Sequence, residues 1–92
     1  MATAIADQVV LVTGGARGLG ASISRAFLAE GARVVVNYRR SAESARALVS
    51  EFGADRTFAA RADVTVDNDV VDMVEAAREH FDSPVTVSYT HL

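Results

Sequence analysis

Four short apolar runs alternate with three longer segments of helical periodicity along this chain. Residues 9–13 and 33–38 are rich in β-branched side chains and have apolar residues on both faces, which is typical of strands buried in a parallel sheet. Residues 57–62 are a weaker strand candidate because alanine has a low strand preference, and their position between two helical segments supports the prediction. A fourth strand is predicted at residues 85–87, directly after Pro84.

Three helices are predicted between these strands because apolar residues recur there at helical spacing. Gly31 and Gly53 are expected to end the first two helices, and Ser41 is placed to cap the second. Thr65 or Asp67 can cap the third. The apolar positions are Leu19, Ile23, Phe27 and Leu28 in the first helix, Ala45, Leu48, Val49 and Phe52 in the second, and Val70, Val71, Val74, Ala77 and Phe81, all expected to face inward, in the third.

The resulting order of elements is β-α-β-α-β-α-β. Strands that alternate with helices of this length favour right-handed crossovers, a parallel sheet and an α/β sandwich. The 92 residues, 50% of them hydrophobic, suffice for one small domain and not for two. No linker, repeat or low-complexity segment interrupts the pattern, so one continuous folded unit is expected.

Charge and composition exclude several classes of function. Nine basic and twelve acidic residues give a net charge of −3 at pH 7, which disfavours binding to nucleic acid or to an anionic membrane. Cysteine is absent, so disulfides, thiolate metal sites and cysteine nucleophiles are excluded, and the reducing cytoplasm is the expected location. The longest apolar run is far too short to span a bilayer. All nine basic residues are arginine, and the chain has no lysine.

Glycines cluster between the first strand and the first helix. Gly14, Gly15, Gly18 and Gly20 fall within seven residues. A phosphate bound at a helix N-terminus needs free backbone N–H groups and no intervening side chains, and glycines allow both the tight turn and the close approach. A simple tight turn would need only one or two glycines. The cluster therefore favours a phosphate site in a dinucleotide-binding unit.

The spacing Gly-x-x-x-Gly-x-Gly after Thr13 differs from the Gly-x-Gly-x-x-Gly of many dinucleotide-binding folds and resembles the short-chain dehydrogenase/reductase family. The resemblance covers about residues 6–87. It looks most like the bacterial 3-oxoacyl-[acyl-carrier-protein] reductase type, whose second strand often ends in a stretch similar to residues 34–39.

The resemblance implies both a fold and an activity. The fold is a Rossmann-type doubly wound parallel sheet, here truncated at the fourth strand. The activity is that of an NAD(P)-dependent oxidoreductase that transfers hydride between the nicotinamide cofactor and a carbonyl or alcohol substrate. That substrate is a small molecule or is bound to an acyl carrier, and the full-length protein is expected to be a homo-oligomer.

The end of the second strand bears on the choice of cofactor. NAD sites place an acidic residue about 20 positions beyond the glycine loop, where it accepts hydrogen bonds from the ribose 2′-hydroxyl. Tyr38 stands there instead, and the charges of Arg39 and Arg40 are suited to a 2′-phosphate. The resemblance adds Arg17, which matches a basic residue often found in NADP-preferring members. NADP is therefore predicted over NAD, and the alternative is that Arg39 and Arg40 are solvated loop charges.

Two further parts of the predicted site, Ser41 and the segment of Asp63 and Val64, each have an alternative role outside cofactor binding. Ser41 either donates to the phosphate or only caps its helix. Asp63 and Val64 follow the third strand, where the resemblance implies contacts from the carboxylate and the next backbone N–H to adenine; a turn aspartate is the alternative. The predicted cofactor-binding residues are Gly14, Ala16, Arg17, Gly18, Leu19, Gly20, Tyr38, Arg39, Ser41, Asp63 and Val64.

The acidic residues of the third helical segment do not form a pattern typical of a metal site. They lie at helix-start or solvent-facing positions, without paired histidines or the spacing of an oxygen cage. They are Asp67, Asp69, Asp72, Glu75 and Glu79. No metal is therefore predicted, and His80 is expected to be a surface residue.

The family's catalytic residues are missing from this chain. The resemblance implies a Tyr-x-x-x-Lys pair and an upstream serine, and a chain without lysine contains no such pair. The family's fourth strand continues into Asn-Asn-Ala-Gly, whereas Ser88 follows Val87 here. We therefore expect residues 1–87 to be the N-terminal part of a single, larger NAD(P)-binding Rossmann domain. Residues 88–92 are expected to be non-native, and this piece alone is expected to be inactive.

Other classes of protein use similar glycine loops. A non-catalytic module that senses NADP through the same loop is the alternative to an enzyme. A nucleotide-sugar epimerase-type relative usually has Gly-x-x-Gly-x-x-Gly, and Arg17 occupies the position of the middle glycine. A methyltransferase would need an acid at the end of the second strand, where Tyr38 stands.

Overall fold

Four parallel strands form one sheet in the computed structural model, which describes residues 5–89. The strands are β1 (Val9–Val12), β2 (Arg33–Tyr38), β3 (Thr57–Arg61) and β4 (Val87–Tyr89), and the helices are α1 (Gly18–Ala29), α2 (Ala42–Phe52) and α3 (Asp67–Phe81), with a 3-10 turn at Ile5–Asp7. The predicted alternation of strands and helices is confirmed.

The strand order β3-β2-β1-β4 places β1 in the interior of the sheet. Val10 pairs with Val34 of β2 on one side and with Val87 of β4 on the other. The chain therefore moves outward from β1 to β3 and then returns to the opposite side of β1. This reversal, with helices on both faces of the sheet, is the Rossmann-type doubly wound arrangement that was predicted.

Each face of the sheet has its own core because side chains along a strand point alternately to opposite faces. Val10 packs with Leu28 of α1 and Leu48 of α2 on one face. Leu11 packs with Phe81 of α3 on the other face. No helix among residues 5–89 is both long enough and apolar enough to cross a membrane.

The ends of α1 and α2 lie close to the predicted stop signals. Gly31 and Gly53 have φ angles of 93° and 95°, in the left-handed region that glycine adopts without strain. Ser41 occupies the N-cap position of α2, as predicted, but its side chain makes no capping hydrogen bond there. The capping role expected of its hydroxyl is therefore not observed.

The start of α3 differs from the prediction. Its N-cap is Val66, and Asp67 is already the first helical residue. The hydroxyl of Thr65 donates to the Oδ1 atom of Asp63 at 2.6 Å, so it is engaged away from the helix. Neither Thr65 nor Asp67 therefore acts as the cap.

The buried face of α3 also differs from the prediction. Val71 is 53% exposed, whereas Met73, absent from the predicted set, is buried. A helix turns once in about 3.6 residues, so the stripe that contains Ala77 and Phe81 also contains position 73 or 74 and excludes position 71. Val71 was predicted to face inward with the other apolar residues of the helix, and that prediction was wrong.

The fourth strand begins later than predicted. Its pairing with β1 covers Val87, Ser88 and Tyr89, so only the last residue of the predicted strand, residues 85–87, lies in it. Thr86 fixes the start of this pairing, because its N–H donates to the carbonyl of Val9 at 2.9 Å and its Oγ1 accepts from the Val9 N–H at 3.0 Å. Parallel pairing uses backbone atoms, so serine and tyrosine can occupy the ladder. Residues 90–92 of the predicted non-native segment lie outside the described residues.

Candidate functional site

A cleft with a volume of about 620 Å³ opens at the carboxyl ends of β1 and β2. Ligand sites of doubly wound sheets lie at this end of the strands. The cleft is lined by Gly14, Ala16, Arg17, Gly18, Leu19, Asn37, Tyr38, Arg39, Arg40 and Ser41. It thus brings together all the predicted cofactor-binding residues except Gly20, Asp63 and Val64.

The turn between β1 and α1 depends on its glycines. Gly14 and Gly18 have φ angles of 63° and 53°, which side-chain-bearing residues rarely adopt. A Cβ atom on Gly15 would lie 2.8 Å from the Oγ atom of Ser24 and 2.8 Å from the carbonyl oxygen of Val12. Gly15 therefore allows α1 to pack closely against the end of β1.

The N-terminus of α1 faces this cleft with free backbone donors. The first hydrogen bond of the helix runs from the Ala21 N–H to the Arg17 carbonyl at 3.1 Å, so the N–H groups of Gly18, Leu19 and Gly20 precede it and have no partner within the helix. Arg17, at the N-cap, makes no side-chain capping bond. Together with the helix dipole, these donors suit a pyrophosphate.

Of the remaining residues of the glycine motif, Gly20 is buried and Leu19 is exposed. Gly20 is buried inside the first turn of α1 and does not line the cleft. Leu19 is 61% exposed and lines the cleft. Although Leu19 fits the apolar spacing of α1, it therefore lies outside the core and offers an apolar surface to a ligand.

Arginines dominate the charge of the cleft. Arg17, Arg39 and Arg40 all line it, and none of its lining residues is acidic. The Nη1 atom of Arg17 donates to the Oγ atom of Ser41 at 3.5 Å, which joins the glycine turn to the start of α2. The three arginines therefore line one cleft, which suits a ligand with several negative charges.

Asp63 lies in a neighbouring cleft that shares Arg39 with the first. Its Oδ1 atom accepts from the Thr65 hydroxyl at 2.6 Å and from the Thr65 N–H at 3.0 Å. These two hydrogen bonds are the main reason that the pKa of Asp63 is below its ordinary value, and the charge of Arg39 lowers it further. The turn geometry anticipated for Asp63 is therefore present, and its contact with adenine stays a prediction. Val64, next to it, is 45% exposed.

Asn37 is a site residue that sequence reasoning missed. It lines the cleft, is buried, and accepts a hydrogen bond from the Gly14 N–H through Oδ1 at 3.1 Å. The signal was present in the sequence, because an asparagine directly follows the buried apolar run of residues 34–36. A buried amide needs partners for both its donor and its acceptor, so this position indicated a specific polar contact.

The described residues hold no group of three or more histidine, aspartate or glutamate side chains placed to bind a metal ion. His80 is exposed, as expected, and stacks on Phe58 with 4.6 Å between ring centroids. Its Nε2 atom lies 2.5 Å from the carbonyl oxygen of Ala54. His80 therefore helps to join α3 to β3 and the turn before it. It does not line the cleft that contains Arg17, Arg39 and Arg40, called the arginine cleft below.

Comparison with known sequences settles the family. The sequence profile of the short chain dehydrogenase family matches residues 8–87, which include the glycine turn, β1 to β3 and all three helices. The chain belongs to the short-chain dehydrogenase family. The expectation drawn from the glycine spacing is thus confirmed.

Two curated relatives illustrate the extent of the match. Versicolorin reductase of Emericella nidulans is 43% identical over 77 residues, which cover 80% of this chain and 29% of that protein. A 3-oxoacyl-[acyl-carrier-protein] reductase of Synechocystis is 37% identical over 81 residues, which cover 86% of this chain and 33% of that protein. This chain therefore spans about a third of the length of these relatives.

Solved structures agree on the fold. A short chain dehydrogenase from Bacillus anthracis matches with a TM-score of 0.85 and 27% identity, covering 98% of this chain and 36% of that one. A 3-ketoacyl-(acyl-carrier-protein) reductase from Brucella melitensis, complexed with NADH, matches with a TM-score of 0.79 and 34% identity, covering 89% and 32% of the two chains. The four strands and three helices described here therefore correspond to about a third of each larger structure.

Proposed function

We propose that this chain is the cofactor-binding part of an oxidoreductase that transfers hydride between NADPH and a carbonyl or alcohol substrate. The observation that carries the proposal is the cleft in which the uncapped N-terminus of α1 faces Arg17, Arg39 and Arg40 without an acidic lining residue. Such a cleft suits a pyrophosphate together with a further phosphate. The names of the relatives support a reductase.

The proposed roles follow the position of each segment. The N–H groups at the start of α1 bind the pyrophosphate, and Gly14 and Gly18 keep side chains out of its path. Asp63 and Val64 contact the adenine ring from the end of β3. The bound nicotinamide supplies or accepts the hydride, and the residues of this chain only hold and orient the dinucleotide.

The preference for NADP over NAD is part of the proposal. Arg39 and Arg40 offer charge-assisted, bidentate hydrogen bonds to a 2′-phosphate, whereas Tyr38 provides no carboxylate to accept from a 2′-hydroxyl. Arg17 lies on the side of the glycine turn, and its guanidinium reaches across to Ser41 at the start of α2. The Brucella reductase was solved with NADH, so the family's fold by itself does not decide between the two cofactors.

Substrate selection and catalysis are proposed to reside in residues beyond this chain. The chain has no lysine for a Tyr-x-x-x-Lys pair, so we propose that the isolated 92-residue chain turns over no carbonyl compound. For the full-length protein we propose a carbonyl substrate that is either a small molecule or bound to an acyl carrier. We also propose that the full-length protein forms a homo-oligomer and is cytoplasmic.

A binding titration tests the proposed function. The protein expressed from the complete reading frame that encodes this chain, called the parent protein below, is titrated with NADPH and NADH. We expect NADPH to bind more tightly, and Arg39→Ala to weaken NADPH about tenfold while changing NADH much less. Arg46→Ala is the matched control, because Arg46 is exposed on α2 and does not line the cleft. Equal losses for both cofactors would remove Arg39 from the 2′-phosphate site.

A non-catalytic NADP sensor is the second candidate, and the absence of lysine from this chain is the observation that favours it. A parent protein that binds NADPH tightly and oxidises it with no member of a panel of ketones, aldehydes and acyl-carrier thioesters would favour the sensor. Carbonyl-dependent NADPH oxidation would favour the enzyme. The two candidates therefore share the binding result and differ in turnover.

A further inference from the structure

Asn37 binds both segments that flank the end of β2. It is only 3% exposed. On one side its carbonyl accepts from the Gly15 N–H at 2.9 Å and its Oδ1 accepts from the Gly14 N–H at 3.1 Å. On the other side its Nδ2 donates to the carbonyls of Ala62 and Ala60 at 3.1 and 3.4 Å. One residue therefore joins the turn after β1 to the end of β3.

The chemistry of the amide matches this double role. Its oxygen faces a donor and its nitrogen faces acceptors, so both ends of the group are used. Aspartate would keep the acceptor but would place a second oxygen against two carbonyls, and leucine would supply neither group. In a buried position each of these changes leaves polar atoms without partners. The side chain thus acts as a spacer of fixed length.

We propose that Asn37 is a positioning residue for the dinucleotide. It holds the glycine turn, which faces the pyrophosphate, at a set distance from residues 63 and 64, which face the adenine. The inference rests on the proposed function, because it requires a ligand that contacts both segments. Asn37 acts through the two segments that it joins, and its contribution to affinity is the preorganisation of their spacing.

This role differs from a purely structural one in its dependence on the ligand. NADPH contacts both the glycine turn and the end of β3, so its affinity depends on their spacing. Adenosine 2′,5′-bisphosphate has a single 5′-phosphate in place of the pyrophosphate and lacks the nicotinamide half, so it contacts less of the glycine turn and depends less on that spacing. A side chain that only stabilised the fold would change both affinities by the same factor or leave both unchanged.

The experiment measures dissociation constants for NADPH and adenosine 2′,5′-bisphosphate in the parent protein and in Asn37→Leu, together with melting temperatures. We expect Asn37→Leu to weaken NADPH about tenfold or more and adenosine 2′,5′-bisphosphate less than about threefold. The matched control is Thr57→Val, because Thr57 is equally buried in the sheet and its hydroxyl has no hydrogen-bond partner in the described structure. This control is expected to leave both affinities unchanged.

A second variant, Asn37→Asp, is expected to show a pH-dependent NADPH affinity that loss of packing alone would not produce. The carboxylic acid of Asn37→Asp, once protonated, regains one donor toward the carbonyls, and burial beside those oxygens favours the protonated form. Its NADPH affinity relative to the wild type is expected to rise as the pH falls from about 8 to about 6, while that of Asn37→Leu does not. Taking the ratio at each pH removes contributions from Asp63, Asp69, Arg39 and the 2′-phosphate, which both proteins share.

The outcomes separate this inference from the proposed function. Equal losses for both ligands in Asn37→Leu, or a ratio for Asn37→Asp that does not change with pH, would overturn the role of Asn37. If Asn37→Leu does not fold, the pH series of Asn37→Asp decides alone. If the wild-type parent protein binds neither NADPH nor NADH, the proposed function itself fails. If the wild type binds and both variants bind equally well, only the inference about Asn37 fails.

Discussion

Arg39 and Asp63 form an ion pair at the boundary of the arginine cleft, with 3.4 Å between Nη2 and Oδ2. The pair joins the segment after β2 to the segment after β3. The Arg39 side chain is 63% exposed, so solvent screens the attraction, and Asp63 is held mainly by its hydrogen bonds to Thr65. Arg39 is therefore free to exchange this carboxylate for a phosphate, while Asp63 keeps its position.

We predict that Thr65→Val raises the pKa of Asp63 toward its ordinary value, and does so more than Arg39→Ala. The hydroxyl hydrogen bond from Thr65 is the largest cause of the lowered pKa, followed by the Thr65 N–H, and the charge of Arg39 has a smaller effect. An NMR titration of the Asp63 carboxyl carbon in the parent protein and both variants measures the difference. A larger rise in the Arg39 variant would show that the ion pair dominates.

The same carboxyl group makes the stability of the fold depend on pH. Its pKa is lower in the folded than in the unfolded chain, so its contribution is fully present above the unfolded pKa and is lost as the pH falls through the folded pKa. We expect Thr65→Val to unfold at a higher pH than the wild type in an acid titration followed by circular dichroism. Thr65→Ser retains the hydroxyl and should unfold like the wild type.

Gly15→Ala is expected to destabilise the parent protein by about 1–3 kcal/mol. The added methyl group would lie 2.8 Å from both Ser24 Oγ and the Val12 carbonyl oxygen, and the second of these belongs to the backbone of the central strand. Urea unfolding measures the change. Ala21→Gly, which removes a methyl group from α1 itself, serves as a comparison and should cost about 0.5–1 kcal/mol. A Gly15→Ala protein as stable as the wild type would contradict the close packing of α1.

The isolated 92-residue chain is expected to aggregate through β4, which lies at an edge of the sheet and has exposed side chains. Val87→Lys places a charge on this edge and should raise the soluble fraction measured by light scattering and sedimentation. Val71→Lys is the control, because Val71 is also exposed but lies on α3. An equal gain from both variants would show that surface charge, and not the strand edge, controls solubility.

We also predict that the complete reading frame departs from this chain after Val87. The expected continuation encodes Asn-Asn-Ala-Gly, then a serine, then Tyr-x-x-x-Lys. Sequencing the genomic locus tests this directly. A frame that encodes Ser88 and the residues up to Leu92 and then stops would contradict it.

The sequence sufficed for the fold because its signals are local and strong. The β-branched residues of the stretch 33–38 favour a strand wherever they stand. Gly31 and Gly53 adopt left-handed φ angles without strain, so each marks the end of a helix locally. The position of β4 was less predictable, because parallel pairing depends on backbone hydrogen bonds with β1, which precedes it by about 77 residues. The apolar pattern alone placed that strand two residues too early.

The site was predictable where it depends on residue type and spacing, as in the glycine turn and the arginines. It was not predictable where it depends on tertiary contacts. The hydroxyl of Thr65 was assigned to a helix cap because threonine favours such positions, and the structure shows it bound to Asp63. Asn37 was passed over because the strand containing it was considered for its apolar residues, while its partners lie on two other segments.

The lining of the arginine cleft occupies a short stretch of the chain, from Gly14 to Ser41. All of it belongs to α1, to β2 and to the turns that precede α1 and follow β2. The entropy cost of closing a loop grows with its length, so these walls can assemble before β1 finds β4 across a separation of about 77 residues. During synthesis, the surface proposed to meet the phosphates can therefore be in place before β4 has left the ribosome.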